Sequence, residues 1–531
     1  MNSQNQPRAA RTYARVFALA LLALAVWLWK QAQPAAMPDL QLDAGERLAC
    51  VSYSPFHLPG QTPLDPQAFI PPEQIRADLT ALAARTACVR IYSTDQGLEA
   101  VLPAARELGL KVMLGAWIGM DAEINERALA NAIELANANA DVVDVLIVGN
   151  EVLLRGEQSE EQMIAWLKRA RAQSRVPVSY ADVWEFWWQH RALAQWVDQI
   201  TVHILPFWED DPVPIEYAVD HVGQTFARMQ REFPDKLVRI GETGWPGAGR
   251  QRRQAVPSRV NQARFVREFV AAAHEHDWRY NFIEAIDQPW KRQLEGTVGG
   301  HWGVLDAHLQ PKFPLTGAVR ERDALIPPIL AGVLMAALCL LCAGRRASAW
   351  QRLAAVLSGL CAGAIGVLVW EHAQQAWRGA LEWTALGAAS LCGLALTPLA
   401  ARVAGANVPA FVLHAPHDES VPDAARLFSA LRLLVLFAAA VAALLLVFDP
   451  RYRDFPIWQF AAPALTLFAL RLSGQRLPAD ALQERACALV LAVCTVIRWA
   501  MEPQNAEAIM WLVTGLGMAT VALERREKKT G

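Results

Sequence analysis

The stretch VDVLIVGNE at residues 143–151 gives the clearest indication of the fold of this chain. Its apolar, largely β-branched residues form a run too short for a typical helix, and such runs are typical of strands buried on both faces of a parallel sheet. The run ends in two polar residues, Asn150 and Glu151. Because α/β proteins place their functional sites at the carboxyl ends of parallel strands, this stretch predicts both a parallel α/β domain and one edge of its site.

Seven further β-rich runs lie on either side of this one. They are LACVSYS (48–54), CVRIYS (88–93), KVMLGAW (111–117), VPVSYA (176–181), QITVHIL (199–205), LVRIGET (237–243) and NFIEAID (281–287). Helical stretches separate them, which is the pattern of repeated βα units. Eight strands predict a closed (β/α)8 TIM barrel over residues 47–323. The alternative is an open doubly wound sheet, but no Gly-rich phosphate motif follows the first strand.

The remainder of the chain has a different composition. The 531 residues are 53% hydrophobic with a formal net charge of -2, which excludes a disordered protein and gives no support to a nucleic-acid partner. Residues 324–531 hold only 30 of the 102 charged residues. Apolar runs lie near 325–343, 353–370, 383–400, 433–448, 456–470, 486–501 and 507–523. We therefore expect an all-α polytopic membrane domain with about seven transmembrane helices in a lipid bilayer.

An eighth apolar run, VFALALLALAVWLW at residues 16–29, follows three arginines. It predicts an N-terminal membrane anchor over residues 1–30, with a cleavable signal peptide as the alternative, and residues 31–46 form a linker. If the chain starts inside, the inside segments carry 16 Lys and Arg residues and the short outside loops carry three. The positive-inside rule then predicts eight spans, two cytoplasmic termini and an extracytoplasmic barrel.

Charged residues within the predicted spans are scarce. Only Arg498 lies clearly inside one, near an end where its side chain can reach the interface. A transporter would need more such residues. A nucleotide-sugar synthase would need a large cytoplasmic domain, and the longest inside loop, 401–432, is too short for one. The spans are therefore interpreted as an anchor or docking platform.

The predicted strand ends carry carboxylates and aromatic residues. The tryptophans near these ends are Trp184, Trp187, Trp188, Trp208, Trp245, Trp290 and Trp302. Flat rings that stack on the apolar faces of pyranose sugars explain such a cluster better than a core does. The substrate-binding candidates read from the strand ends are Tyr53, Arg90, Tyr92, Asn150, His203, Trp208, Trp245 and Trp290.

Two glutamates are the catalytic candidates. Glu151 ends the fourth strand and Glu242 lies at the end of the seventh, so their side chains should meet across the barrel mouth at about 5 Å, the spacing of retaining glycosidases. We expect Glu242 to be the ionised nucleophile and Glu151, with a raised pKa, the acid/base. Arg90 on the same strand face as Tyr92 would keep a nearby carboxylate charged, and Asn150 is placed to bond a sugar hydroxyl.

Six motifs carry a family resemblance. They are VRIYSTD (89–95), VGNEV (148–152), HILPFW (203–208), GETGWP (241–246), EAIDQPWK (284–291) and HWGVLD (301–306). In this order, over residues 47–317, they resemble the family 17 glycoside hydrolases, the β-1,3-glucanases and glucanosyltransferases. The resemblance implies a retaining (β/α)8 enzyme with Glu242 as nucleophile and Glu151 as acid/base, and it adds Glu284 and Lys291 as substrate contacts.

The chain also departs from the family pattern. Leu205 stands where relatives often have an aromatic residue, and Gln288 stands where a second acid is common. The resemblance is strongest to bacterial membrane-tethered members associated with building or remodelling β-glucans, including 1,6 linkages or branches. It implies a bacterial inner-membrane protein with a periplasmic barrel, and a glucan synthase is a candidate partner.

Other kinds of site find little support. Cys50 and Cys88 fall on adjacent strands but on opposite faces if Tyr53 and Arg90 both point inward, so no disulfide is expected between them. His274 and His276 are two apart on a helix and do not face one another, so no metal is predicted, and no cofactor motif is present.

The sequence thus predicts a retaining glycosidase or transglucosylase acting on β-1,3-glucan. Which of the two reactions dominates depends on whether water or a sugar reaches the glycosyl-enzyme first, and WEFWW (184–188) could supply aromatic acceptor subsites. The alternatives are a simple β-1,3-glucan hydrolase and a non-catalytic glucan-binding membrane scaffold.

Overall fold

A computed structural model of the chain describes residues 6–40, 47–405, 423–474 and 482–522. The chain divides into two compact units, one formed by Ala35–Val319 and the other by Met1–Pro34 together with Arg320–Gly531. The positively charged residues predicted for the inside at 476 and 525–529 lie outside the described residues.

The first unit is a closed barrel of eight parallel strands, in which each strand pairs with the next and the last pairs with the first. The strands are β1 (Val51–Ser52), β2 (Cys88–Ile91), β3 (Lys111–Ala116), β4 (Val143–Asn150), β5 (Val178–Val183), β6 (Gln199–His203), β7 (Leu237–Thr243) and β8 (Tyr280–Phe282). The predicted (β/α)8 barrel is confirmed, and the open sheet is wrong. The first and last strands are shorter than their β-rich runs.

Helices follow the strands around the outside of the barrel. They are α2 (Pro72–Ala83), α3 (Val101–Leu108), α4 (Ala122–Ala138), α5 (Glu160–Gln173), α6 (Trp184–Gln189), α7 (Ile215–Glu232), α8 (Arg259–Glu275) and the short α9 (Arg292–Glu295). Local sequence starts several of them. Asp121 accepts hydrogen bonds from two backbone amides of α4, and Ser159 with Gln162 forms a capping box on α5.

Small residues let the barrel close tightly. Gly115 on β3 lies so near β2 that an added Cβ would sit 2.4 Å from the Ile91 carbonyl oxygen. The interior below the mouth is filled by Cys50, Cys88, Met113, Val145, Ile147 and Ala181. Such a filled interior leaves the carboxyl ends of the strands as the edge where a site can form.

Cys50 and Cys88 form a disulfide, which corrects the expectation that they point apart. Val51 pairs with Val89, so Cys50 and Cys88 are neighbours one step earlier on parallel strands. Paired residues of neighbouring strands point to the same side. The error came from placing Tyr53 inside the barrel, since Ser52 is the residue that shares the inward face with Cys50.

The second unit is helical. Its helices are α1 (Gln6–Gln31), α10 (Ile326–Ala343), α11 (Ala349–Ala376), α12 (Ala380–Gly405), α13 (Asp423–Phe448), α14 (Ile457–Leu472), α15 (Leu482–Met501) and α16 (Ala506–Ala522). Five helices are long and apolar enough to cross a membrane, namely α1, α10, α11, α12 and α13. Each of the seven predicted runs is helical, while α14 and α16 are short apolar helices.

Ion pairs inside this unit exceed what its sequence suggested. Arg432 lies within α13 and donates two hydrogen bonds to Glu484 of α15, at 2.6 and 3.0 Å, and both side chains are buried. Arg498 is also buried and pairs with Glu502, so it does not lie free at an interface. Buried charges of this kind require a partner because an isolated one is costly. The helix α13 begins ten residues before its apolar run, which is why Arg432 was placed in a loop.

We predict that the disulfide can be counted in solution. Of the eight cysteines, six are free, so a thiol-specific reagent in denaturant should react with six groups before reduction and with eight after it. The bridge closes a loop of 38 residues. Replacing both Cys50 and Cys88 by Ser should lower the free energy of unfolding of the barrel by about 4 kcal/mol, measured by guanidinium titration.

The free cysteine Cys392 supplies the matched control, and Cys392→Ser should leave the unfolding of the barrel unchanged. Eight reactive thiols in the unreduced protein would show that the bridge does not form.

Candidate active site

Glu151 is placed at the barrel mouth by an unusual turn at the end of β4. Glu151 has a φ of 51° and Gly149 a φ of 85°, both in the left-handed region. For Glu151 this conformation is strained, and such strain often marks functional sites. The Glu151 amide donates a hydrogen bond to the Ala181 carbonyl at 2.8 Å, which fixes the turn against β5.

Glu242 lies on β7 and is almost completely buried. Its Oε1 accepts hydrogen bonds from Arg90 Nη1 at 3.1 Å and from the Tyr92 hydroxyl at 2.8 Å. There is no room for a side chain at the preceding Gly241, because an added Cβ would sit 2.3 Å from Thr201 and 3.0 Å from the His203 ring. The glycine therefore lets His203 pack directly beside Glu242.

His203 lies between the two glutamates. Its Nδ1 is 2.9 Å from Glu151 Oε1, and its Nε2 is 3.6 Å from Glu242 Oε1. One ligand-type atom from each of these three residues lies within 4.8 Å of the other two. The two carboxylates are thus about as close as the sequence predicted, near the spacing of retaining glycosidases.

The arginine neighbour indicates which nitrogen of His203 carries a proton. Arg90 Nη1 lies 3.3 Å from His203 Nε2. A guanidinium can only donate, so Nε2 accepts and the proton of a neutral ring resides on Nδ1. His203 then donates to Glu151.

Arg90 crosses the barrel interior and contacts several strands. Its side chain is 1% exposed. Besides Glu242 and His203, it donates to the Gly241 carbonyl at 2.9 Å and to Asn150 Oδ1 at 2.5 Å. It also lies over the Tyr92 ring at 4.6 Å. The inward position predicted for Arg90 is therefore observed.

The environment of Glu151 differs from the one expected. Burial is the largest single effect and raises its pKa, but the hydrogen bond from His203 and the charges of Arg155 and Arg90 together outweigh burial, so the pKa of Glu151 lies below its usual value. The raised pKa expected for this residue is wrong in the substrate-free site. The neighbouring carboxylate with a raised pKa is Asp182, because burial raises its pKa to about 6.

Glu284 and Lys291 form an ion pair at the mouth. Lys291 Nζ lies 2.5 Å from Glu284 Oε1. Burial raises the pKa of Glu284 to about 8, although the charge and the hydrogen bond of Lys291 act to lower it. The second oxygen of Glu284, Oε2, is buried and has no hydrogen-bond partner among the described residues. That oxygen is a ready acceptor or donor for a ligand hydroxyl.

Two of the predicted aromatic residues remain partly exposed. The Trp208 ring stacks on Trp302 at 6.0 Å and has Arg252 over it at 5.2 Å. The Trp290 indole donates to Gln288 at 2.8 Å. Both tryptophans border the core of the barrel and keep part of their surface available.

Tyr53 and Trp245 do not belong to the site, which corrects two predictions. Tyr53 is buried, and its hydroxyl donates to Asp78 of α2 at 2.7 Å, so it points away from the barrel interior. Trp245 is buried against Phe207 and Phe265, and its indole donates to the Val256 carbonyl at 3.0 Å. In the aromatic run on α6, Trp187 is fully buried and is therefore not available to a sugar as the sequence suggested.

The sequence assigned no site role to Glu295, Trp117 and Arg155, although Trp117 was read as one of the strand-end residues. Burial raises the pKa of Glu295, and the charges of Glu151 and Glu242 act on it in the same direction, so this third acid lies near the catalytic candidates. Glu295 ends the short helix α9, thirteen positions after β8, in a segment where periodicity gives no signal. Trp117 directly follows β3 and was recognisable as a strand-end residue.

The Glu151, His203 and Glu242 trio could in principle ligate a metal ion. The guanidinium of Arg90 already donates to the Glu242 oxygen and to the His203 nitrogen that would face such an ion. A fixed cation on two of the three ligands opposes a second cation there, and no residue of the trio is assigned a metal.

Known proteins resemble the barrel. A family model described as the BtgE/BtgC glycoside hydrolase domain matches residues 50–303. A glucan 1,3-beta-glucosidase of Arthroderma benhamiae is 30% identical over 265 residues, which is 46% of this chain and 85% of the relative. A probable beta-glucosidase btgE of Aspergillus flavus is 29% identical over 229 residues, and the match spans 41% of this chain but only 36% of that relative.

Among solved structures, a glycoside hydrolase family 17 beta-1,3-glucanosyltransferase from Rhizomucor miehei is 24% identical, with a TM-score of 0.45 and coverage of 51% of this chain and 98% of that one. The family model and the Arthroderma relative cover the barrel motifs that carry both glutamates. The chain therefore belongs to the BtgE/BtgC group of family 17-like glycoside hydrolases, as its motifs predicted, and is a glycoside hydrolase or transferase.

Proposed function

We propose that this protein is a retaining β-1,3-glucan-active transglucosylase, with Glu242 as nucleophile and Glu151 as acid/base. The observation that carries the proposal is the pair of carboxylates within 4.8 Å at the carboxyl ends of β4 and β7. The name of the Arthroderma relative, a glucan 1,3-beta-glucosidase, supports a β-1,3-glucan substrate.

The neighbours of Glu242 suit a nucleophile. Arg90 and Tyr92 both donate to its Oε1, which fixes the carboxylate and leaves Oε2 for C1 of the sugar. In the first step Oε2 bonds to C1, the bond from C1 to the glycosidic oxygen breaks, and the departing oxygen takes a proton from Glu151. In the second step Glu151 removes a proton from the entering hydroxyl, whose oxygen displaces Glu242.

The proton on Glu151 sets a pH requirement. Its pKa is lowered by His203 and two arginines, so the protonated form is the minor one at neutral pH. The population with Glu151 protonated grows as the pH falls, and activity should be favoured in the acidic range.

Polar groups around the two acids can hold sugar hydroxyls. Asn150 Oδ1 is used by Arg90, and its amide nitrogen, which has no acceptor among the described residues, can donate to a hydroxyl beside the reacting carbon. Glu284 and Lys291 offer a second polar pair, and Trp208 and Trp290 offer flat surfaces. These contacts remain proposals.

We also propose that the barrel acts outside the cytoplasm of a bacterium, from the inner membrane. Five helices are long and apolar enough to span a bilayer. A buried disulfide is typical of proteins that fold on the oxidising side of a membrane. In this proposal residues 1–30 form the anchor, 31–46 the linker, 47–323 the barrel and 324–531 the membrane domain.

Tryptophans in the second unit are compatible with the proposed spans. Trp27 at the end of α1 contacts Trp458 at the start of α14, at 5.0 Å between ring centroids. Trp370 near the end of α11 contacts Trp383 near the start of α12, at 5.7 Å. All four lie at helix ends that face outside in the proposed topology, where aromatic residues anchor spans at the interface. A membrane-bound enzyme suits glucan remodelling, and a glucan synthase is a candidate partner.

We predict that Glu242→Gln lowers turnover of β-1,3-gluco-oligosaccharides by roughly 10³-fold or more while oligosaccharide binding is retained. Glu151→Ala should be similarly impaired on these substrates but much less on a glycosyl fluoride, because fluoride leaves without protonation. Products are separated by mass and linkage; longer chains indicate transfer, and shorter chains alone indicate the hydrolase alternative.

The matched control is Glu134→Gln, an exposed glutamate of α4 that should keep full activity. Turnover by Glu242→Gln within tenfold of wild type would refute the assignment. A wild-type protein that binds the oligosaccharide and never changes its length would favour the scaffold alternative.

We predict that His203→Phe moves the basic limb of the kcat/KM profile to higher pH. The substitution removes the hydrogen bond that holds the pKa of Glu151 down, so the pKa rises. The protonated acid then persists to higher pH. The control His221→Phe removes a histidine bonded to Glu209, and its profile should stay in place. A limb that moves to lower pH would contradict this.

We predict the topology from single cysteines introduced in the full chain. Arg451→Cys, between α13 and α14, should react with a membrane-impermeant maleimide in intact spheroplasts. Arg346→Cys, between α10 and α11, should react only after lysis. Both positions are exposed, so access depends on the side of the membrane alone. The unsubstituted protein gives the background, and the reverse labelling pattern would overturn the proposed orientation.

A further inference from the structure

Trp117 lies at the barrel mouth beside the proposed acid/base. It directly follows β3, and the register that pairs Ala116 with Val148 puts it level with Gly149, two residues before Glu151. Its side chain is on the strand face shared by Met113, which points into the barrel interior. Trp117 is 39% exposed, although it is a large aromatic residue at the end of a core strand.

Arg155 fixes the Trp117 ring in place. Its guanidinium lies 4.4 Å from the centre of the ring. The same group donates to the Asn150 carbonyl, to the Ile118 carbonyl at 3.1 Å and to Glu157 at 2.6 Å. Arg155 thereby ties the loop after β3 to the loop after β4. Arg155 holds the ring in position, and the exposed part of the Trp117 side chain can stack on a ligand.

The reaction geometry tells which sugar would reach this ring. In the proposed displacement the attacking oxygen of Glu242, the reacting carbon and the departing oxygen lie roughly in line. The departing sugar therefore lies on the wall opposite Glu242. In a closed barrel of eight strands, β3 is four strands from β7 in either direction and forms that wall. Trp117 is consequently on the leaving-group side, which is also the side where an acceptor enters.

We propose that Trp117 is the stacking platform for the acceptor glucose and so determines the balance between transfer and hydrolysis. This inference rests on the proposed retaining function. A pyranose stacked on Trp117 brings its hydroxyl to Glu151 for deprotonation and displaces water from the same position. Arg155 acts as a positioning residue, because it holds the ring without reaching the reacting atoms.

The rival platform is Trp188 on α6, which the sequence suggested. It is 36% exposed, nearly the same as Trp117, and it also has an arginine over its ring, Arg228 at 3.3 Å. Trp188 lies on α6, five residues beyond the end of β5, and β5 carries neither of the two catalytic candidates. The two tryptophans are thus matched in residue type, exposure and cation partner, and they differ in their place relative to Glu151.

The test uses the full chain in detergent with a β-1,3-gluco-oligosaccharide as both donor and acceptor. The readout is the ratio of lengthened to hydrolysed products per donor consumed, together with the apparent KM for acceptor. Trp117→Ala should lower the ratio roughly three- to tenfold and raise that KM, which corresponds to one lost aromatic stacking contact. Trp117→Phe should retain most of the ratio, and Trp188→Ala should leave it at the wild-type value.

An unchanged ratio in Trp117→Ala, or a fall in Trp188→Ala alone, would overturn the inference. If the wild-type protein consumes no donor, the proposed function fails by itself, and calorimetric binding decides on the platform. In that case Trp117→Ala must still weaken laminari-oligosaccharide binding relative to wild type and to Trp188→Ala, and equal binding by all three would refute it.

Discussion

The buried guanidinium of Arg90 is the interaction on which the rest of the site depends. A charge with 1% exposure is stable only if it is paired, and Arg90 donates through Nη1 and Nη2 to Glu242, Asn150, the Gly241 carbonyl and the neighbouring His203, while its buried Nε has no hydrogen-bond partner among the described residues. These partners come from β4, β6 and β7, so one side chain of β2 fixes three strand ends. Arg90 thus holds Glu242 directly, and it holds Asn150, the residue before Glu151.

Much of this arrangement was predictable, because it follows from parallel topology. Eight buried runs define a barrel, and a barrel brings the polar ends of β4 and β7 together regardless of their separation in sequence. The facing of individual residues was harder to predict. The predicted strand alternation was wrong by one residue at Tyr53, and a shift of one residue moves a side chain to the other face of the sheet. The same error separated Cys50 from Cys88, whose bridge depends on the β1–β2 register.

Other differences arise from contacts that no local pattern encodes. Trp245 is buried because Phe207 and Phe265, from distant segments, close over it. The lowered pKa of Glu151 depends on a histidine 52 positions away, which periodicity cannot place beside it. In the helical unit, composition marked the apolar helices, but the Arg432 pair with Glu484 required knowing that α13 packs against α15. In each case the strand or helix was predictable and its tertiary neighbour was not.

The unequal neighbours of the two acids also argue against exchanging their roles. Glu242 is 7% exposed and accepts two hydrogen bonds on one oxygen, from Arg90 and from Tyr92, which hold it in one position. Glu151 is 24% exposed and has one side-chain donor, His203. It can gain and release a proton at lower cost, and a hydroxyl arriving from solvent can reach it. Because an acid/base must change protonation twice in each cycle and a nucleophile must stay ionised, the site itself favours Glu151 for the first role and Glu242 for the second.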